Sequence, residues 1–210
     1  MKLFKDRESA GILLAKRLKK TQADLVLGIP RGGVVVAKEI AKSLKLPLDI
    51  VVVRKIGAPG QEELALGAVD PDGQVLWDEN LLRDLGFKIY DLGEKIRNEW
   101  KELKRREDTY SLARRRLARL VADKTVILVD DGVATGSTVL SAVTYLKRHG
   151  GKVVLAVPVA SKESTEKLKT LADEVVVLEK PENFQAVGQF YQEFLPVSDK
   201  EVIQLLSYGG

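Results

Sequence analysis

Cysteine is absent from the 210 residues, and histidine and methionine occur once each. Without cysteine there is no disulfide framework, no thiol nucleophile and no thiolate metal site. A lone imidazole, His149, excludes a multi-histidine metal centre and argues against Ser-His-Asp or Cys-His catalysis. Its setting, YLKRHGG, suits a helix C-terminus, where a cation meets the negative end of the dipole and Gly150 supplies a left-handed residue. Long apolar runs are missing too. Nothing approaches the roughly 20 residues that span a bilayer, and the first twenty residues lack the apolar core and cleavage site of a secretory signal. A cytoplasmic protein with no membrane partner is expected. Any chemistry must come from carboxylates, lysine, arginine, backbone amides and a borrowed metal ion.

What is present, 45% hydrophobic and 30% charged residues, fits one globular domain over residues 1–210. The net charge of +4 is uneven: residues 95–124 hold eleven Lys and Arg against five Asp and Glu, a balance of +6, so the remainder sums to −2. No internal repeat is visible. Strand-like runs alternate with helical ones, which predicts an α/β fold: an open, twisted parallel sheet flanked by helices. RESAGILLAKRLKK reads as a helix capped by Asp6, DLVLGIP as a strand, and GVVVAKEIAKSL as the helix behind it. LDIVVVRK, nearly all β-branched, is predicted as a central strand. LALGAVDPDGQVLWD carries the Asp-Pro-Asp-Gly signal of a hairpin. Residues 79–123 read as an inserted helical segment with Leu103, Leu112, Leu117 and Leu120 among its apolar contacts, and TVILVD, KVVLAVPVA and DEVVVLEKP as three more strands. A short final helix is predicted with Ser198 or Asp199 as its cap.

The stretch VILVDDGVATGST carries the chemistry. A buried strand delivers two adjacent carboxylates, Asp130 and Asp131, to the carboxyl edge, where open α/β sheets bind ligands. Adjacent acids are costly to desolvate and repel each other. Capping the next helix needs only one acid. The Ala134-Thr135-Gly136-Ser137-Thr138 turn can present several amides and hydroxyls to one oxyanion, backed by a helix N-terminus. It is not a Walker loop, because GxxxxGK[ST] is missing. Phosphate suits the turn and sugar hydroxyls suit the acids, so a ribose 5-phosphate is the expected guest.

This segment resembles the phosphoribosyl pyrophosphate (PRPP) motif of type I phosphoribosyltransferases: a hydrophobic strand, two acids, two spacers, a small residue and Thr-Gly-x-Thr. GIPRGGV, VVRKIGAPG, ELALGAV and FQAVGQFY resemble an uncharacterised branch of that family over nearly the full chain. The resemblance implies the type I phosphoribosyltransferase fold with a small hood, here residues 54–77 and 178–197. It implies that Asp130 and Asp131 hold the ribose hydroxyls and Ala134–Thr138 the 5-phosphate. Pro30, Arg31, Gly32 and Gly33 correspond to the family's pyrophosphate loop, with a cis Pro30–Arg31 peptide; a plain strand-to-helix turn is the other reading. Arg54 and Lys55, at the end of the second strand, suit the diphosphate or are a solvated strand end. The implied reaction is displacement of pyrophosphate from PRPP by a nucleobase-like nitrogen acceptor with Mg²⁺ bridging the diphosphate and ribose, largely through substrate and water. A homodimer is the expected assembly.

Two features depart from the family pattern. Members using 6-oxopurines usually carry Asp where this chain has Ala134, so hypoxanthine and guanine are not expected acceptors, and no general base is assigned. Arg114, Arg115 and Arg116 continue a helix where a Gly- and Pro-rich link is expected. They read as a solvated face, a subunit contact or a nucleic-acid contact, the last being the mark of a PRPP-sensing regulator. Phe184, Phe190, Tyr191 and Phe194 fall within eleven residues. Phe184 and Phe190 could stack on an acceptor base or pack in the core.

Overall fold

A computed structural model describes residues 2–110 and 114–207. Helix α1 (Arg7–Arg17) starts where Asp6 accepts a hydrogen bond from the Ser9 amide and Ser9 returns one, a reciprocal cap. Strand β1 (Leu25–Gly28) leads into α2 (Gly32–Leu44), then β2 (Leu48–Ile50). Three strands follow in a separate antiparallel sheet, β3 (Arg54–Ala58), β4 (Gln61–Val69) and β5 (Val75–Trp77). The predicted Asp-Pro-Asp-Gly turn joins the last two, with Gly73 at φ +81°. Helices α3 (Glu79–Asp84), α4 (Gly93–Thr109) and α5 (Arg114–Val121) come next. The chain then returns to the main sheet as β6 (Thr125–Val129), α6 (Ser137–Arg148), β7 (Lys152–Val159), α7 (Lys162–Lys169) and β8 (Glu174–Glu179). Helix α8 (Asp199–Ser207) closes the fold, capped by Ser198, whose hydroxyl accepts from the Glu201 amide.

The main sheet is all parallel, in the order β2-β1-β6-β7-β8. It is buried on both faces, which is why its strands read as continuous apolar runs. Along β6, Val126 and Leu128 pack toward α5, α6 and α7, while Ile127 and Val129 pack toward α1 and α2. Helices on opposite faces mean that the winding reverses between β1 and β6. The open α/β rule places ligands at the carboxyl ends of those two strands.

The second strand corrects one expectation. β2 is an edge strand, paired only with β1, and it stops at Ile50. Val51, Val52 and Val53 are still buried, at 0%, 2% and 5% exposure. Their cover comes from α2, the antiparallel sheet and α4–α6, through Val34, Ile56, Leu103 and Val139. β-Branched composition reports burial, and here burial does not come from flanking strands. Arg54 and Lys55 accordingly begin β3 and do not end β2. Leu112 lies outside the described residues, as do the side chains of Arg114–Arg116.

His149 terminates α6 and Gly150 follows at φ +82°. Its Nε2 lies 2.7 Å from Asp72 Oδ2, in a polar cluster where Arg148 Nη2 donates to Asp70 at 2.5 Å. This cluster ties the β4–β5 turn to α6, at the end of the sheet away from the switch point.

Candidate functional site

Two turns meet at the switch point. Pro30–Gly33 follows β1 and Asp130–Thr138 follows β6, and the Ile29 amide donates to Val129 O at 2.8 Å. The Pro30–Arg31 peptide is cis. Both loop glycines are demanded by closeness. A Cβ on Gly33 would lie 2.8 Å from Val129 O and 2.9 Å from Asp130 Cα, and one on Gly32 would strike the Asp131 carboxylate. The Pro30–Gly33 turn and the paired acids therefore touch backbone to side chain, with no room for a larger residue between them.

The Ala134–Thr138 turn is held from behind. The Val133 amide donates to Val159 O at 2.9 Å, and the Ser161 amide to Val133 O at 3.1 Å. Ala134 O accepts the hydroxyls of Ser161 and of buried Ser164, at 3.0 and 2.5 Å. Gly136, at φ +85°, turns the chain into α6, which has no side-chain cap. Ala134 and Thr135 are exposed, and Ser137 and Thr138 half-buried. Three hydroxyl-bearing residues, Thr135, Ser137 and Thr138, thus stand at the N-terminus of a twelve-residue helix, whose dipole favours an oxyanion.

Asp130 and Asp131 are both pushed above the ordinary carboxylate range, chiefly by burial. For Asp130 the charge of its neighbour adds to the shift; for Asp131 the Arg7 guanidinium opposes it. The Asp131 amide donates to Asp130 Oδ1 at 2.8 Å. Arg7 Nε donates to Asp131 Oδ2 at 2.7 Å, in an ion pair with side chains only 11% and 15% exposed. Arg7 is the site residue that sequence reading missed. One signal was available: it occupies the first turn of α1, where the helix dipole favours anions and disfavours a cation.

The cations expected at the diphosphate are already engaged. Arg54 Nη2 lies 2.6 Å from Glu99 Oε2 on α4, and Lys55 Nζ 2.8 Å from Glu63 Oε2 on β4. Arg31 is partly exposed, with Nη1 3.9 Å from Asp199 Oδ1. Of the two readings of the aromatic cluster, core packing is the one that Phe190 fits. Phe190 is 3% exposed, with its ring against Phe184 (centroids 4.9 Å apart) among Phe4, Tyr191, Val159 and Phe194. It is a packing residue with no face for a base, because the 190–193 segment folds onto residues 3–5 through backbone hydrogen bonds. Phe184 is half-buried beside it.

Two cavities adjoin the site. One of about 440 Å³ lies between α1, α2 and α8, lined by Arg7, Glu8, Val35, Leu195 and Gln204. The other, about 670 Å³, lies outside the Ala134–Thr138 turn against Gly67, Trp77, Asn80, Thr135 and Ser137. Among the described residues, no group of three or more His, Asp or Glu could cage a metal ion, and no helix is long and apolar enough to cross a membrane.

Comparison with known proteins adds the following. The family model described as "Phosphoribosyl transferase domain" matches residues 6–194. A protein of Mycobacterium tuberculosis strain H37Rv, named "Putative phosphoribosyl transferase Rv0571c", is 43% identical over 209 residues, covering 98% of this chain and 47% of its own length. The chain thus spans about half the length of the curated relatives it matches. The crystal structure of TT1426 from Thermus thermophilus is 41% identical, covers 99% of each chain and superposes with a TM-score of 0.76.

Proposed function

Because the chain belongs to the phosphoribosyl transferase family, we propose that it transfers the 5-phosphoribosyl group of PRPP to a nucleobase or similar nitrogen acceptor, releasing pyrophosphate. The observation that carries this reading is the contact of the Pro30–Gly33 turn with Asp130 and Asp131 at the sheet's switch point. It supports the reading because Pro30–Gly33, the two acids and the Ala134–Thr138 turn would then lie within reach of one small molecule.

In this reading Ala134–Thr138 hold the 5-phosphate and Asp130 and Asp131 receive the ribose 2- and 3-hydroxyls. The amides of Gly32 and Gly33, with Arg31, Arg54 and Lys55, receive the diphosphate. Arg54 and Lys55 do so by leaving Glu99 and Glu63. Orientation of the sugar between two fixed turns, and stabilisation of charge on the departing diphosphate, supply the catalysis. Closure of the residue 54–77 hairpins over the site excludes water from the reactive sugar. Residues 79–123 are an insertion outside this machinery. Asp130 and Asp131, two adjacent oxygen-donor carboxylates, would be the residues to hold a magnesium ion, which would supply neutralisation of diphosphate charge. The reading carries a cytoplasmic setting in nucleobase salvage with it.

Native protein and Asp130→Asn/Asp131→Asn protein, each incubated with PRPP, magnesium and a pool of free bases, test this by mass spectrometry. A ribonucleoside monophosphate made by the native chain and lost in the variant is the expected result. With Ala134 in the turn, hypoxanthine and guanine are expected to be poor acceptors, and their efficient use would prove that part wrong. Absence of any PRPP binding by calorimetry would sink the whole reading.

A further inference from the structure

Arg7 makes three different contacts with two distant parts of the chain. Nε donates to Asp131 Oδ2, Nη1 donates to Leu195 O at 2.8 Å, and the guanidinium lies 3.8 Å from the centroid of the Phe194 ring. Phe194 in turn stacks on Tyr191 with centroids 5.1 Å apart, and the Tyr191 hydroxyl donates to Asp131 O at 2.6 Å. Beside these contacts, residues 3–5 and 190–193 are laced together: the Phe4 amide donates to Phe190 O, the Gln192 amide to Phe4 O, and the Glu193 amide to Lys5 O. The segment from 190 to 195 therefore crosses the acid-bearing end of β6, and Asp131 is gripped from its carbonyl by Tyr191 and from its carboxylate by Arg7. Its place in the first turn of α1 runs against the helix dipole, so these contacts, and not the helix, account for a cation there.

We propose that Arg7 is a positioning residue: it orients Asp131 for the ribose and fastens the 190–195 segment across the site. The first half rests on the reading of Asp131 as a PRPP ligand; the second half stands without it. A charge-assisted contact to a shielded carboxylate fixes its rotamer and leaves the second oxygen to be aimed at the ligand. The planar guanidinium is what allows one side chain to pair with a carboxylate, bond a carbonyl and cover a ring together; an ammonium cannot do all three.

Two variants read in two ways test this. Arg7→Gln and Arg7→Lys are compared with the native protein by calorimetry with PRPP and magnesium, and by hydrogen–deuterium exchange without ligand. Arg7→Gln is expected to weaken PRPP binding at least about tenfold and to speed exchange of the Gln192 and Glu193 amides. Arg7→Lys should recover most of the affinity, because an ammonium still pairs with Asp131. Those amides should stay fast, because Leu195 O and Phe194 lose their partner. Native-like PRPP affinity in Arg7→Gln overturns the positioning role, and native-like exchange in both variants overturns the fastening. If the native chain binds no PRPP, the transferase reading and the positioning role fall together, and the exchange data still decide the fastening.

Discussion

Gly32→Ala is expected to lower kcat/KM for PRPP by about a hundredfold or more, the scale on which displaced oxyanion donors cost activity. The added Cβ would strike the Asp131 carboxylate and come within 2.8 Å of Arg7 Nε. Neither group can give way cheaply, because each holds the other in a shielded ion pair. One methyl group therefore disturbs both the Pro30–Gly33 turn and Asp131, the parts proposed to hold the diphosphate and the sugar. Overpacking of this kind costs about 1–3 kcal/mol, which a domain of this size survives folded. Gly93→Ala is the control: its Cβ would meet only Arg97 at 3.5 Å, an ordinary contact, and kinetics should be unchanged. Native-like steady-state kinetics in Gly32→Ala would show that the Pro30–Gly33 turn is a plain connection from β1 to α2.

The second large effect is on stability, far from the site. Arg148→Ala is expected to remove about 3 kcal/mol, seen as a fall of about 6–12 °C in Tm by calorimetry. Asp70 is 2% exposed, and its Oδ2 pairs with Arg148 Nη2. Asp70 Oδ1 keeps the Asp72 and Gln74 amides, which places the cost at the lower end for a buried charge left unpaired. Arg148→Ala/Asp70→Asn should regain much of the loss, because no charge is then stranded. By contrast, the Lys162–Glu182 pair has side chains 64% and 83% exposed, and deleting it should change stability by less than about 1 kcal/mol. Equal effects from the two deletions would show that Asp70 is not held by Arg148.

The parts of the site that could be read from sequence are those made of consecutive residues. Asp130, Asp131 and the Ala134–Thr138 turn follow one apolar strand, so the residues and their placement at the sheet edge come together in a single stretch. The Pro30–Gly33 turn is readable for the same reason, as is Ser198 as a cap. What composition could not supply was partnership across the chain. Arg7 pairs with a carboxylate 124 positions away and reads locally as one more surface cation. The pairing of Arg54 with Glu99 depends on how α4 packs beside β3, and nothing in VVRKIG announces it. LDIVVV was misplaced in the sheet because valine-rich sequence records contact with apolar neighbours of any kind. Phe190 was legible only as an aromatic, and the backbone lacing of residues 3–5 to 190–193 decided that it packs inward.

Arg54 and Lys55 each come with a counter-ion built into the chain. A cation neutralised in this way projects little field into solvent and does little to hasten an approaching polyanion. What it offers is exchange. On the proposed reading, a diphosphate that takes either cation would release Glu99 or Glu63, tethered carboxylates, where a bare cationic cleft would release mobile ions from the medium. Salt screens the two pairs unequally, because Glu99 is 18% exposed and Glu63 97%. On the proposed reading the freed carboxylates would lie on α4 and β4, so occupancy would change the ion pairing of both elements.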